Sequence, residues 1–386
     1  MPYKCEICER DFKQKSHLES HQKSKRPCKK NENPLEARLK ILEEDNKILK
    51  EQVKYLLSFH PIQQPFVEII PPPQIEVIPT ISPSLSVTKP FLKWVGGKTQ
   101  IIDDVLSLFP QTMNNYHEPF LGGGSVLLAI LSYKKAGKIQ INGTIYASDL
   151  NANLINLYKK IQKEPVNLIK LINILSKQYG LAKGDTINRS PASLEESYSS
   201  PESYYYWIRN KFNNLTKDER LSIQGAAMIL FMNKTCFRGV YREGPKGFNV
   251  PYGNYNHPTI IDEAHIMEIS ELIKDVKFSC SSFNDAMDKV TTGDFIYLDP
   301  PYAPENLKSF VGYTTDGFDI DKHKMLFAKT KDLKAKNVKM VMSNAAVDLV
   351  KESFPAPDYE TKVISCKRHI NSKKPDSKTN EVLITN

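Results

Sequence analysis

A rigid turn directly after a carboxylate is the feature of this sequence that most clearly suggests chemistry. In FIYLDPPYAP, residues 295–304, a run of strand-forming residues ends at Asp299 and continues with Pro300, Pro301 and Tyr302. Asp299 and the carbonyl of Pro300 offer two hydrogen-bond acceptors in a fixed geometry, because prolines restrict the backbone and carry no N–H. Tyr302 adds a face on which a planar base can stack. This set suits the amino group of adenine, and an ordinary stiff turn is the alternative.

The nitrogen of an adenine amine is a poor nucleophile because its lone pair is delocalised into the ring. Two acceptors that hold both N–H groups out of conjugation make that lone pair available to an electrophilic methyl group. The turn therefore indicates methyl transfer to an amine, provided that a methyl donor binds nearby.

Two further stretches indicate a cofactor site. EPFLGGGSV, residues 118–126, places three glycines between a predicted strand and a predicted helix, where a ligand can approach the backbone. It contains no dinucleotide fingerprint and no Walker lysine, which favours a cofactor with little or no phosphate. Asp149 ends the next predicted strand, where a carboxylate can accept both hydroxyls of a ribose. Ordinary turn chemistry is the alternative for each motif taken alone.

Five motifs taken in order resemble those of the Dam family (D12 class) of site-specific DNA adenine-N6 methyltransferases. They are FLKWVGGK, EPFLGGGSV, ASDLN, FNVPYG and YLDPPYAP, and the resemblance covers about residues 89–386. It implies an α/β fold, a doubly wound mixed sheet of the S-adenosylmethionine-dependent methyltransferase type with a helical target-recognition insertion. It also implies transfer of a methyl group from S-adenosylmethionine to the N6 amine of an adenine flipped out of duplex DNA.

The same resemblance assigns roles by position. For the cofactor site it implies Trp94, Lys98, Glu118, Phe120, Gly122, Asp149 and Asp299. For catalysis in the target pocket it implies Asp299, Pro300, Pro301 and Tyr302.

The loop at residues 232–255 resembles the target-recognition loop of the family. The resemblance implies that Arg242 contacts a guanine, which predicts GATC as the target, with a different or relaxed site left open. Arg238 stands where the family usually has asparagine, and Asn254 stands at an often basic position. The full set of expected DNA contacts is Lys93, Phe237, Arg238, Val240, Arg242 and Asn254.

The elements that position these residues follow from apolar periodicity. The pattern predicts strands at 115–120, 144–150, 294–299 and 338–343, helices at 125–137, 151–162 and near 321–336, and an antiparallel edge pair at 359–366 and 380–385. Residues of about 165–285 are mostly helical in pattern and are predicted to be the insertion within a domain at 90–386.

The first 30 residues have the spacing of a small zinc finger. Cys5, Cys8, His21 and Cys28 predict a closed tetrahedral Zn²⁺ site of the CCHC type, which resembles the zinc-finger family. His17 is the competing imidazole, but its distance from Cys8 along the chain is short for a finger. Binding of DNA, binding of protein and simple stabilisation all stay open as its purpose.

Residues 34–58 show a heptad pattern, with leucines at spacings of three and four and Asn46 at an a position. This pattern predicts a parallel coiled coil and therefore a homodimer, the alternative being a helix packed on the protein itself. Residues 60–89 hold seven prolines and are predicted to be an extended linker.

Composition limits the remaining choices. The 386 residues carry a formal net charge of +9 with a pI near 9.0, which favours a polyanionic partner such as double-stranded DNA. No apolar run reaches the roughly 18 residues of a membrane span, and the N-terminus lacks a signal-peptide core. Six cysteines without a disulfide pattern favour an intracellular protein, cytoplasmic or nuclear. An RNA or protein-amide methyltransferase, or an inactive DNA-binding regulator, are the alternative functions.

Overall fold

The computed structural model describes residues 3–5, 11–23, 86–303, 318–367 and 378–386. The chain forms two compact units, residues 1–79 and 80–386. The predicted coiled coil at 34–58 and most of the predicted linker lie outside the described residues.

The described part of the first unit has the order of elements that a small finger requires. Strands β1 (Tyr3–Lys4) and β2 (Asp11–Phe12) pair antiparallel, and helix α1 (Lys15–Gln22) follows. Cys5 is buried, and the His21 ring packs on Phe12 with centroids 4.9 Å apart.

Two of the four predicted zinc ligands, Cys8 and Cys28, lie outside the described residues. The described residues contain no group of three potential metal ligands. The CCHC site therefore stays a prediction.

A seven-stranded sheet organises the second unit, in the order β12-β13-β11-β10-β4-β6-β9. Five strands from β11 to β9 are parallel, whereas β13 is antiparallel to both of its neighbours. The strands of this sheet are β4 (Tyr116–Glu118), β6 (Ile145–Asp149), β9 (Lys277–Cys280), β10 (Phe295–Leu298), β11 (Lys339–Ala345), β12 (Glu360–Lys367) and β13 (Lys378–Thr385). The predicted mixed sheet is thus confirmed.

Helices cover both faces of the sheet, as a doubly wound fold requires. Alternate residues of β10 show this, because Phe295 and Tyr297 enter one apolar core and Ile296 and Leu298 enter the other. The helices are α2 (Ile102–Leu106), α3 (Ser125–Lys135), α4 (Ala152–Lys163), α5 (Pro165–Leu181), α6 (Leu194–Ser197), α7 (Pro201–Asn214), α8 (Lys217–Arg220), α9 (Ile223–Thr235), α10 (Glu263–Leu272), α11 (Phe283–Met287), α12 (Ile320–Ala335) and α13 (Asp348–Ser353).

Two short two-stranded sheets accompany the central one. They pair β3 (Thr112–Met113) with β5 (Gln140–Ile141), and β7 (Glu243–Gly244) with β8 (Gly247–Phe248). No helix in the described part of the chain is long and apolar enough to cross a membrane.

The predicted elements agree with the structure except at the borders of the insertion. Six helices, α5 to α10, lie within residues 165–272, together with the short β7–β8 hairpin. Residues 277–280, which were predicted to belong to the insertion, instead form the edge strand β9 beside β6. The short strand carries a single buried apolar side chain, Phe278, which explains why its pattern is weak.

The last residues of the predicted linker pack on the second unit. Thr88 is buried, its N–H donates to Ser132 Oγ at 3.1 Å, and its hydroxyl donates to Glu268 at 2.7 Å. These bonds fix the chain just before the FLKWVGGK motif.

Candidate active site

The carboxyl ends of three adjacent parallel strands bring three carboxylates to one edge of the sheet. Glu118 ends β4, Asp149 ends β6 and Asp299 follows β10. The chain reverses its winding direction between β4 and β10, and such a switch point is where open α/β sheets bind ligands. Glu118, Asp149 and Asp299 come together because their strands are parallel neighbours in the sheet.

Asp299 forms an ion pair with Lys98. The Nζ atom of Lys98 lies 2.6 Å from Asp299 Oδ2 and also donates to the carbonyl of Gly96 at 2.6 Å. Lys98 is 3% exposed and Asp299 is 20% exposed, so the carboxylate keeps an open side. Burial raises the pKa of Asp299, whereas the adjacent ammonium of Lys98 opposes that rise.

The turn after Asp299 is fixed at two further points. The Ala303 N–H donates to Asn344 Oδ1 of β11 at 3.0 Å, and the Tyr302 hydroxyl donates to Glu381 Oε2 of β13 at 2.9 Å. Asp299, Tyr302 and Ala303 are therefore each held by a side chain from a different part of the chain.

The structure shows a packing reason for the glycines of the EPFLGGGSV loop, while the expected approach of a ligand to them stays a prediction. A Cβ atom on Gly122 or Gly123 would lie 3.1 or 2.7 Å from atoms of Trp94, and one on Gly124 would clash with the Tyr158 hydroxyl. These glycines are needed for the packing of Trp94 and Tyr158 against the loop. Gly122 and Gly124 also adopt positive φ values of 50° and 68°, which glycine tolerates best.

Asp149 closes the glycine loop from the other side. Its Oδ2 accepts the Gly122 N–H at 3.0 Å and its Oδ1 accepts the Asn151 N–H at 2.9 Å. Burial raises the pKa of Asp149, while these backbone bonds lower it. The two oxygens of a carboxylate offer about four lone pairs in all, which leaves Asp149 able to accept from a diol as well.

Glu118 is the most deeply buried of the three carboxyl groups. It is 2% exposed and accepts the Tyr116 hydroxyl at 2.6 Å. Burial raises the pKa of Glu118 to about 8, and the negative charge of Asp299 adds to this rise.

An aromatic cluster forms around Phe120, two residues after Glu118. Phe120 stacks on Phe283 with ring centroids 5.6 Å apart, and Phe318 meets Phe120 edge-on at 6.0 Å. Phe120 was expected at the cofactor site, whereas Phe283 and Phe318 were not. Phe283 begins α11, the helix after β9. Because β9 was not predicted as a strand of the sheet, Phe283 was not expected near the strand ends.

The predicted DNA-contacting residues lie mainly on the loop between α9 and Tyr255. Phe237 is 48% exposed, Arg238 and Arg242 are exposed, and Asn254 is exposed with a φ of 50°. Val240 is half-buried and packs against the apolar core of the second unit.

Arg242 is held from one side within its loop. Its Nε donates to Asn249 Oδ1 at 2.7 Å, and the Asn249 N–H donates back to the Arg242 carbonyl at 3.1 Å. In the described part of the chain no other hydrogen bond or ion pair engages the guanidinium, so its terminal N–H groups can face a ligand.

The FLKWVGGK segment joins the recognition loop to the glycine loop. Trp94 stacks on Tyr241 with centroids 5.9 Å apart while it covers Gly122 and Gly123. The backbone N–H of Lys93 donates to Asn233 Oδ1 at 3.0 Å, and Asn233 Nδ2 donates to the Lys93 carbonyl at 2.7 Å. The Nζ atom of Lys93 lies 3.8 Å from the centre of the Tyr255 ring. Trp94 is therefore shared by both regions.

The residues present fit S-adenosylmethionine. Asp149 offers acceptors for the ribose hydroxyls, the Phe120 cluster offers apolar faces for the adenine, and Asp299 offers negative potential for a cation. The space above Gly122 and Gly123 is filled by the Trp94 side chain, which closes that side of the site.

Comparisons with known proteins agree with this geometry. The family model for the D12 class of N6 adenine-specific DNA methyltransferases matches residues 94–370. The type II methyltransferase M.MjaIII of Methanocaldococcus jannaschii is 34% identical over 293 residues, covering 74% of this chain and 93% of the relative.

Two bacterial relatives extend the agreement. The type II methyltransferase M1.LlaDCHI of Lactococcus lactis is 29% identical over 303 residues, covering 77% of this chain and 95% of the relative. The DNA adenine methylase of Serratia marcescens is 29% identical over 267 residues, covering 68% and 86%. The chain therefore belongs to the D12 class of N6 adenine-specific DNA methyltransferases.

Proposed function

We propose that this adenine-specific DNA methyltransferase acts on the adenine of GATC, which it flips out of the duplex into the pocket at Asp299, Pro300, Pro301 and Tyr302. The observation that carries the proposal is the fixed turn, since Asp299, Tyr302 and Ala303 are each anchored by a different side chain. A target amine then meets acceptors that need no rearrangement at the moment of reaction.

In this pocket Asp299 and the Pro300 carbonyl accept the two N–H groups of the adenine amine, and Tyr302 stacks on the ring. Bound S-adenosylmethionine supplies a methyl group on a sulfonium sulfur, and transfer breaks the carbon–sulfur bond and leaves a thioether. Asp299 stabilises the positive charge that develops on the amine nitrogen and accepts its surplus proton at Oδ1 or Oδ2. Lys98, paired with Oδ2, orients the carboxylate.

The cofactor site of the proposal consists of Trp94, Lys98, Glu118, Phe120, Gly122 and Asp149, with Asp299 shared between cofactor and target. Asp149 binds the ribose hydroxyls of the cofactor, and Phe120 contacts the adenine of the cofactor. Phe283, which stacks on Phe120, is a second aromatic residue proposed for this site.

Arg242 is proposed to contact a guanine of the target. Because Asn249 engages its Nε, both terminal amino groups can point together at the two acceptors of a guanine edge. Phe237 is proposed to insert as an aromatic wedge, Val240 to contact a base, and Lys93, Arg238 and Asn254 to contact DNA near the site.

The N-terminal unit is proposed to bind Zn²⁺ through Cys5, Cys8, His21 and Cys28, and residues 34–58 are proposed to dimerise. The ββα order and the buried Cys5 support the first idea. Zn²⁺ would supply the folding free energy of a unit whose described helix, α1, buries none of its residues.

A methylation assay tests the proposal. The full chain is incubated with labelled S-adenosylmethionine and with paired duplexes that differ only by GATC or a scrambled site, and the methyl group is located by nuclease digestion. We expect label on N6 of adenine in the GATC duplex in large excess over its scrambled partner.

Equal labelling of both duplexes would contradict the GATC assignment while leaving the adenine pocket intact. Label on RNA or on protein, with none on DNA, would overturn the proposed substrate altogether.

A further inference from the structure

The C-terminal strand β13 contributes a charged side chain to the target pocket. Glu381 lies 79 residues from Tyr302 along the chain, yet its Oε2 accepts the Tyr302 hydroxyl at 2.9 Å. We propose that Glu381 is a positioning residue, which holds the Tyr302 ring in the orientation that stacks on the flipped adenine. The inference rests on the stacking role proposed for Tyr302.

The backbone beneath Glu381 is held firmly. Strand β13 lies between β11 and β12, and Glu381 pairs with Ala345 on one side and Ile364 on the other. The next three residues, 382–384, are buried in the core. An anchor built on such a strand has little freedom to move, unlike one on a surface loop.

The Tyr302 ring is restrained from two directions. Lys98 Nζ lies 5.1 Å from the ring centre, while Glu381 binds the hydroxyl at the far end of the ring. Within the described part of the chain, the Tyr302 side chain hydrogen-bonds to Glu381 and to no other residue. Burial and the charges of Asp299 and Glu381 raise the pKa of Tyr302 well above its ordinary value, so the phenol stays a donor.

A fixed ring matters because stacking is directional. A tyrosine side chain turns about two bonds, and an unanchored ring would lose part of its contact with the base each time it turns. Because stacking on an aromatic ring stabilises the bound base, a misplaced ring costs a measurable part of the reaction rate.

The test is a set of variants of the full chain, assayed under single turnover on unmethylated duplex DNA. We expect Tyr302→Phe and Glu381→Ala each to reduce the rate by roughly tenfold, since both remove a hydrogen bond to a charged group. Glu381→Gln keeps an acceptor and should recover most of the rate. The double variant Tyr302→Phe/Glu381→Ala should be no slower than either single variant.

Two controls separate positioning from stability. Glu360→Ala changes an exposed carboxylate on the neighbouring strand β12 and should leave the rate unchanged. A duplex with 2-aminopurine at the target position reports stacking by its fluorescence, which Glu381→Ala should raise at saturating DNA while thermal melting stays near that of the parent.

Several outcomes would overturn the inference. Full activity in Glu381→Ala, together with loss of activity in Tyr302→Ala, would refute the anchor and leave the pocket intact. Multiplicative losses in the double variant would mean that the two residues act independently. Full activity in Tyr302→Ala would refute the stacking role and the inference with it.

Discussion

The target pocket and the recognition loop both present polar side chains to a base, but they hold those side chains by different means. In the pocket, Asp299 and Tyr302 are bound by Lys98 and Glu381, which lie about 200 residues before and about 80 residues after them. In the loop, Arg242 is bound by Asn249, seven residues away. The pocket side chains are therefore held by distant parts of the chain, whereas Arg242 is held from within its own loop.

The backbone shows the same difference. Left-handed conformations in the pocket are taken by glycines, at Gly122 and Gly124. In the loop they are taken by Gly239 and Gly247 and also by two residues that carry side chains, Arg238 and Asn254, with φ values of 56° and 50°. Asparagine tolerates this conformation better than arginine does. Arg238 is thus held in a backbone conformation that is less favourable for arginine than for asparagine.

The largest effect is expected from Asp299→Ala, which removes a pocket acceptor. Transfer should fall by about 10²–10³-fold on every DNA sequence, because the acceptor opposes charge that develops at the amine. The ratio of rates between favoured and altered sites should stay the same. Labelled methyl transfer measures the rate, and calorimetric titration measures the retained cofactor affinity.

Asp332→Ala, an exposed aspartate on α12, is the matched control for Asp299→Ala. A fully active Asp299→Ala variant would contradict the role proposed for the carboxylate. If Asp299→Ala lost activity on some DNA sequences but not on others, the pocket would contribute to sequence recognition together with the loop.

A smaller effect is expected from Arg242→Ala, on discrimination between DNA sequences more than on the overall rate. Removing a bidentate contact to guanine should reduce discrimination at that base pair by about 1–3 kcal/mol. The rate on saturating DNA should change less, because the pocket keeps its own anchors. Competition between duplexes that differ at a single base pair measures the discrimination.

Lys246→Ala offers a matched control at the tip of the same hairpin, where an exposed lysine should affect all sequences alike. Equal losses at every sequence for Arg242→Ala would place Arg242 on a phosphate and remove it from base recognition.

Sequence patterns sufficed for those parts of the site that sit at strand ends. The strand pattern before Asp299 and before Asp149 predicted where each side chain emerges, and parallel strands with a switch point then bring them together. The FLKWVGGK motif gave Lys98 a place at the site, although its ion pair with Asp299 spans 201 positions.

Other parts of the site depend on contacts that no local pattern encodes. Glu381 lies in a strand that could be predicted, but its side chain meets Tyr302 only because β13 inserts between β11 and β12. Phe283 follows the strand β9, which was assigned to the insertion. The need for glycine at Gly123 arises from the Trp94 side chain, whose position depends on the folded state.

The smallest effect is expected from the buried Glu118 of the pocket, and it concerns stability. The recognition loop has no buried carboxyl group with which to compare it. The pKa of Glu118 is raised from 4.5 to about 8 by burial, so the folded state holds a proton that the unfolded chain releases. The stability that this group contributes is fully present below pH 4.5 and is lost as the pH rises through about 8. Glu118→Gln cannot ionise, and its melting temperature should exceed that of the parent by about 2–4 °C at pH 9 but not at pH 5.

Glu352→Gln, an exposed glutamate on α13, should show no such pH-dependent difference and so corrects for changes of net charge. Differential scanning calorimetry across pH 5–9 measures both variants against the parent. A Glu118→Gln difference that is constant with pH would mean that Glu118 is already ionised in the folded protein. The pocket would then hold three negative carboxylates against Lys98, and the amine of the target would meet a stronger negative potential than a neutral Glu118 implies.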